Sequence, residues 1–175
     1  LPNGNFFFRS PTWHNGPEEE AGAVTWCSGT TGCAGVLSSV NSIVGTRAFD
    51  RVGNSPDINL NTAPTVLANG NFVIGTSQWD NTAAANSAGA ATFCSGTTGC
   101  AGEISALNSL VGTTQGNSLS FGGITALAGG DYVVSSSNWD DPTTGEFNQG
   151  AVTWCSGTTG CIGNITFDNS LLGGT

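Results

Sequence analysis

One heptapeptide, Cys-Ser-Gly-Thr-Thr-Gly-Cys, occurs three times, at Cys27–Cys33, Cys94–Cys100 and Cys155–Cys161, and it uses all six cysteines of the chain. The likeness extends well beyond it. Ala21–Thr46 reads AGAVTWCSGTTGCAGVLSSVNSIVGT, Ala88–Thr113 reads AGAATFCSGTTGCAGEISALNSLVGT, and Gly150–Gly173 reads GAVTWCSGTTGCIGNITFDNSLLG. Such a chain folds as a tandem repeat, in which small like units bury their apolar faces against one another. The units are assigned to residues 1–61, 62–120 and 121–175, each too small to bury a large core alone.

The cysteine pattern sets the compartment. Three pairs at one C-x5-C spacing, with none left over, read as three local disulfides and an oxidising, extracellular setting. Structural zinc is the alternative, but it favours about two to four residues between cysteines and a second pair or histidines nearby. Here His14 is the sole histidine. In the chain-entropy model a closed loop of about seven residues is worth roughly 2.4 kcal/mol, so three contribute at most about 7 kcal/mol. All three cationic side chains are arginines, so lysine–asparagine isopeptide crosslinks cannot form and disulfides must supply any covalent rigidity.

Three further segments align without a gap: LPNGNFFFRSPTW at Leu1–Trp13, LANGNFVIGTSQW at Leu67–Trp79 and LAGGDYVVSSSNW at Leu127–Trp139. Asn-Gly or Gly-Gly before an aromatic, β-branched run predicts a turn followed by a strand. Thr62–Leu67 and Phe121–Leu127 supply the preceding strand in copies two and three, and the first copy lacks it. The segments 14–20, 80–87 and 140–149 are polar, unequal in length and read as loops. Ala23–Cys27 and its equivalents are the third strand. A fourth follows the cysteines, such as Gly102–Leu107, and Asn-Ser-Leu-Val-Gly closes each unit at Asn41, Asn108 and Asn169. No stretch keeps a helical period. The expected fold is all-β, with tandem four-stranded antiparallel blades of β-propeller type. A β-solenoid or open superhelical array is the alternative. Three blades do not close a ring, and the chain starts at Leu rather than Met. It is therefore expected to be an excerpt or processed product, or a subunit that assembles by strand complementation between copies.

Asn-Gly-Asn with its following strand, Trp-Asp-Asn, Gly-Ala-Val-Thr-Trp, Gly-Thr-Thr-Gly and Asn-Ser-Leu-Val-Gly together resemble a tandem repeat of large bacterial surface proteins of the filamentous-haemagglutinin-like type. The resemblance covers essentially the whole chain. It implies secretion, a β-propeller-like repeat and a role in surface adhesion or extracellular structure. The cysteine pairs depart from that pattern. A weaker similarity, through Phe121-Gly122, is to integrin-type propeller blades, whose Asp-rich calcium loop is absent here, so its metal is not carried over.

Chemistry has little to work with. His14 becomes Asp80 and Asp140 in the other copies, with no nucleophile or orienting carboxylate nearby in sequence. No nucleophile elbow, zincin motif or phosphate-binding loop occurs. Asp140-Asp141 and Glu18-Glu19-Glu20 read as solvated loops, since neither run surrounds a glycosidic bond or a calcium ion by itself. No catalytic residue, metal or cofactor is therefore expected, and the chain is read as a non-enzyme. A net charge of −9 disfavours nucleic acid and anionic membranes. No apolar run reaches about 18 residues, so no membrane insertion is expected. The candidate ligand contacts are Trp13, Trp79, Asp80, Trp139 and Asp140, where an aromatic beside a carboxylate could hold a sugar; the competing reading is that the indoles wedge between repeats. Trp26 and Trp154, which become Phe93 in copy two, read as packing. Asn164-Ile165-Thr166 fits a glycosylation sequon, a short match that is common by chance. Two functions compete: an extracellular structural or adhesive filament segment that self-associates or joins further repeats, and a lectin-like module whose partners are host or matrix glycans.

Overall fold

In the computed structural model, residues 1–54 and 64–174 are described. The boundary at 61 and 62, the Thr62–Ala63 start of the predicted strand and Thr175 lie outside them. The strands are β1 Phe6–Ser10, β2 Ala23–Cys27, β3 Ser42–Val44, β4 Thr65–Val66, β5 Phe72–Thr76, β6 Ala90–Cys94 and β7 Gly102–Glu103, then β8 Ser109–Val111, β9 Ile124–Ala126, β10 Tyr132–Ser136, β11 Ala151–Cys155, β12 Gly163–Asn164 and β13 Ser170–Leu172. Among the described residues there is no helix, and hence none long and apolar enough to cross a membrane.

Each repeat is an antiparallel meander. In the second, β4 turns through Asn69-Gly70 into β5, whose Phe72 sits opposite Cys94 of β6, and β6 pairs in turn with β8. The Asn-Gly turn is closed by Leu67 N–H donating to Asn71 O (2.8 Å) and Gly70 N–H to Leu67 O (2.9 Å). Gly70 adopts φ +86°, a conformation that costs glycine little and other residues much. The third repeat has the same meander, β9-β10-β11-β13, and the first has β1-β2-β3. Threonine–serine pairs tie the central strand to the last one: Thr25 to Ser42 and Thr92 to Ser109, both buried, and Thr153 to Ser170, part-buried, each at 2.7 Å.

The expected fourth strand is corrected. Only Gly102–Glu103 of the Gly102–Leu107 stretch is strand, and it leaves its own repeat to pair in parallel with β3 of the repeat before, Ile43 opposite Gly102. β12 does the same to β8, Leu110 opposite Gly163. The fourth strand of the meander is the Ser109–Val111 element instead. The three sheets therefore have four, five and four strands, and none is closed.

The core lies between the sheets. Alternation along each strand sends one set of side chains to each face. Phe7, Val24, Trp26 and Ile43 of the first repeat meet Phe72, Ile74, Cys94 and Val111 of the second. Val73, Ala91, Phe93 and Leu110 of the second meet Tyr132, Val134, Cys155 and Ile165 of the third. Phe7 and Phe72 stack across the first junction with ring centroids 4.9 Å apart. We call the face meeting the following repeat the trailing face, and the opposite one the leading face.

Candidate functional site: the faces that join the repeats

All three disulfides are formed, Cys27–Cys33, Cys94–Cys100 and Cys155–Cys161. Each closes the Ser-Gly-Thr-Thr-Gly turn, and the serine hydroxyl caps that turn from inside, as Ser95 Oγ does for Thr97 and Thr98 N–H (both 3.2 Å). Beyond the turn, Asn108 fixes the departing strand to its own repeat. Its Nδ2 donates to Glu103 O (2.8 Å) and its Oδ1 accepts from Ser105 N–H (3.0 Å); Asn41 and Asn169 act in the same way. The strand is thus held at both ends before it reaches across.

The disulfide turn is itself a docking element. Its first glycine is gripped from two sides. Asn71 Oδ1 accepts the Gly96 N–H of its own repeat (3.0 Å), while Asn71 Nδ2 and Asn69 Nδ2 both donate to Gly157 O of the next (2.8 and 2.7 Å). At the first junction Asn5 and Asn3 repeat the pattern on Gly29 and Gly96, and Trp26 Nε1 adds a third donor to Gly96 O (3.2 Å). A β-carbon on Gly96 would strike the carbonyl oxygen of Gly70, so no side chain fits there. The last glycine of the turn lies against an aromatic of the preceding repeat. A β-carbon on Gly99 would come within 2.6 Å of Trp26 Cβ, and one on Gly160 within 2.5 Å of Phe93 Cβ.

The Trp-Asp positions lie at these same junctions. Trp79 and Trp139 are 2% exposed, each in the apolar cluster between its repeat and the one before, whereas Trp13 is half-buried. Neither buried indole presents a face to solvent. Asp80 Oδ1 accepts from Ser87 N–H (2.6 Å) and Asp140 Oδ1 from Asn148 N–H (2.8 Å). Ser87 and Asn148 are left-handed, φ 49° and 54°, so each carboxylate braces a strained loop residue. Asp141, beside Asp140, is exposed and held below the usual carboxylate range by the hydroxyl and N–H of Thr143. In the acidic run of the first loop, Glu20 pairs with Arg51 (2.7 Å) and Glu18 accepts from Ala48 N–H (2.8 Å).

A cavity of about 650 Å³ opens at the first junction, lined by Glu18, Arg47, Trp79, Asp80, Asn81 and Ser105 among others. Trp79 Nε1 is buried without a hydrogen-bond partner. Beside it, Asp50 is fully buried and accepts from Thr46 and Arg47 N–H (2.7 and 2.9 Å) and, across the junction, from Asp80 N–H (2.8 Å). Burial pushes its pKa up to about 6, against the pull of those three N–H donors and with a further push from the Asp80 charge. Its counterpart in the second repeat is Asn117, whose Oδ1 accepts from Thr113 and Thr114 N–H while its Nδ2 is buried unpaired. Tyr132, whose hydroxyl accepts from Cys161 N–H (3.3 Å), is likewise pushed up by burial, to about 12. Among the described residues no three His, Cys, Asp or Glu side chains gather so as to hold a metal ion.

Sequence reasoning placed the disulfides and a strand after them, but missed the asparagine grip and the donation of that strand to the preceding repeat. The signal for the grip was available in the copies themselves, where Asn-Gly-Asn of the first two becomes Gly129-Gly130-Asp131 in the third. No curated protein matches the chain, and no solved structure does. Residues 1–54, 66–120 and 126–175 each match the family described as a repeat of unknown function (DUF5650), and the chain, covered almost end to end by three copies, belongs to that family.

Proposed function

We propose that the chain is a non-enzymatic, extracellular structural module, a stapled stack of repeats that serves as a rigid segment of a surface or filament protein. The observation that carries this reading is that the most repeated residues are spent on joining one repeat to the next. Asparagine pairs, disulfide turns, donated strands and the Trp-Asp motif all converge on the junctions. Three disulfides point to an oxidising, extracellular environment, and the resemblance to bacterial surface repeats favours a structural or adhesive use. Open stacking of sheets accounts for the shared strands better than a closed ring does, because each unit lends a strand to its neighbour rather than completing a separate blade.

The lectin reading has less support, since the two Trp-Asp indoles that would stack on a sugar are buried. The deciding experiment pairs limited proteolysis with a glycan array. The structural reading expects an intact protein under protease until the disulfides are reduced, and no retention on glycans. Retention that Trp79→Ala or Trp139→Ala abolishes in a folded protein would replace this reading with the lectin.

A further inference from the structure

The two ends of the stack are unlike. At the trailing end, the side chains that the first two repeats bury or half-bury are open in the third. Val152 is 44% exposed, Trp154 57% and Leu171 78%, whereas Val24 and Ile43, the counterparts of Val152 and Leu171 in the first repeat, are each 1% exposed. They are nonetheless apolar, as their covered counterparts in the first two repeats are. Among the described residues the outer edge of β13 carries no donated strand, although β3 and β8 each do. At the leading end the matching parts are free. Gly35-Val36-Leu37, equivalent to Gly102-Glu103-Ile104, pairs with no strand among the described residues, and Val36 is 86% exposed. Gly32, equivalent to Gly99 and Gly160, has open space where they meet an aromatic. Gly29 is exposed where Gly96 and Gly157 are buried.

We propose that the trailing face of the third repeat docks the leading end of a second copy of this chain. Gly35–Val36 adds in parallel to β13 as Gly102–Glu103 adds to β3, and Gly32 seats against Trp154. The occupant is argued from the two internal junctions, which already show this face covered by this same turn and strand. The contact is head-to-tail, so each copy added leaves the same end open for the next. One part of the lock is altered. Where Asn69 and Asn71 donate to the next turn's glycine carbonyl, the third repeat has Gly129, which has no donor, and Asp131, whose spare carboxylate oxygen would face the Gly29 carbonyl. Gly129 and Asp131 therefore keep the contact between copies weaker than the contacts within one.

This deepens the structural reading and rests on it only in treating the faces as joints. A chain that stays monomeric would leave the disulfide-dependent protease resistance untouched. The experiment is sedimentation velocity across a concentration series, with no reductant. G129N/D131N restores two hydrogen bonds and removes a repulsion, so association should begin at a concentration lower by about tenfold or more than in the natural chain. Leu37→Pro removes the N–H equivalent to the one Ile104 donates to Val44 O (3.1 Å), and Leu171→Asp charges the receiving face. Both positions lie at the open ends, so the fold should survive, which circular dichroism checks. In the G129N/D131N background each should remain monomeric alone. Mixed, they should form a dimer and stop there, because each supplies the end the other has lost. A G129N/D131N protein that stays monomeric up to about 1 mM overturns the proposal. So does association that neither Leu37→Pro nor Leu171→Asp reduces.

Discussion

The two internal junctions do the same work with partly different residues. Both use a donated parallel strand, an asparagine pair on a glycine carbonyl, and a left-handed glycine under an aromatic ring. They differ in the side chains added to that shared set. Trp26 adds an indole donor that Phe93 cannot supply, and buried Asp50 at the first junction gives way to Asn117 at the second. The common parts are directed at the backbone, whose donors and acceptors do not change with sequence, and they recur. The contacts made at one junction alone drift. What defines the joint is therefore a small set of backbone contacts, with apolar packing free to vary around it.

The sharpest way to break this comparison is to place one substitution at three equivalent glycines. Gly99→Ala and Gly160→Ala should each cost about 2–4 kcal/mol, because the new methyl meets a ring base and the residue is left-handed. Gly32→Ala, with the same backbone but open space, should cost only about 1 kcal/mol. Denaturant unfolding measures all three, and equal losses would mean that the glycine serves its turn and not the joint.

Asp50 distinguishes the junctions by pH. Its folded pKa of about 6 lies above the ordinary 3.8, so between those values the folded chain binds the proton that the unfolded chain has released. The contribution is fully present below about pH 4 and is lost as pH rises through about 6, up to roughly 3 kcal/mol in all. Asp50→Asn should flatten that part of the stability–pH curve; an unchanged slope would show that the carboxyl does not carry it. Removing one staple, with Cys94→Ser and Cys100→Ser together, should cost roughly 2.4 kcal/mol by thermal unfolding under non-reducing conditions. The smallest effect compares the grips. Asn71→Ala should cost about 1–2 kcal/mol, and Asn5→Ala less, because Trp26 and Asn3 still hold Gly96. Equal losses would remove the role given to the indole.

Much of the meander was legible in the chain. Ala23–Cys27, with its β-branched and aromatic residues, is strand as expected, and the Asn-Gly turns stand where the alternation begins. The disulfides followed from spacing alone. A strand was expected over Gly102–Leu107, but its short length and its donation to the preceding repeat were not legible, because Gly102–Glu103 is two residues long, has no alternation, and starts at a glycine with φ +116°. Its partner is remote in sequence, and nothing in the stretch itself points to the preceding repeat. The asparagine grip was hidden for another reason. Asn-Gly-Asn is sufficient as a turn signal, so the side-chain work of the flanking asparagines left no separate mark within any one copy.

The equivalence of the joints has a genetic consequence. Excising one whole period would set the trailing face of the first repeat against the leading face of the third. Asn3 and Asn5 would then meet Gly157, Trp26 would lie over Gly160, and β12 would take the place of β7 beside β3. Every contact already has its counterpart in the molecule. Gain or loss of one whole period can therefore lengthen or shorten the array without inventing an interface. Selection on such a protein can act on the number of members as directly as on any single residue.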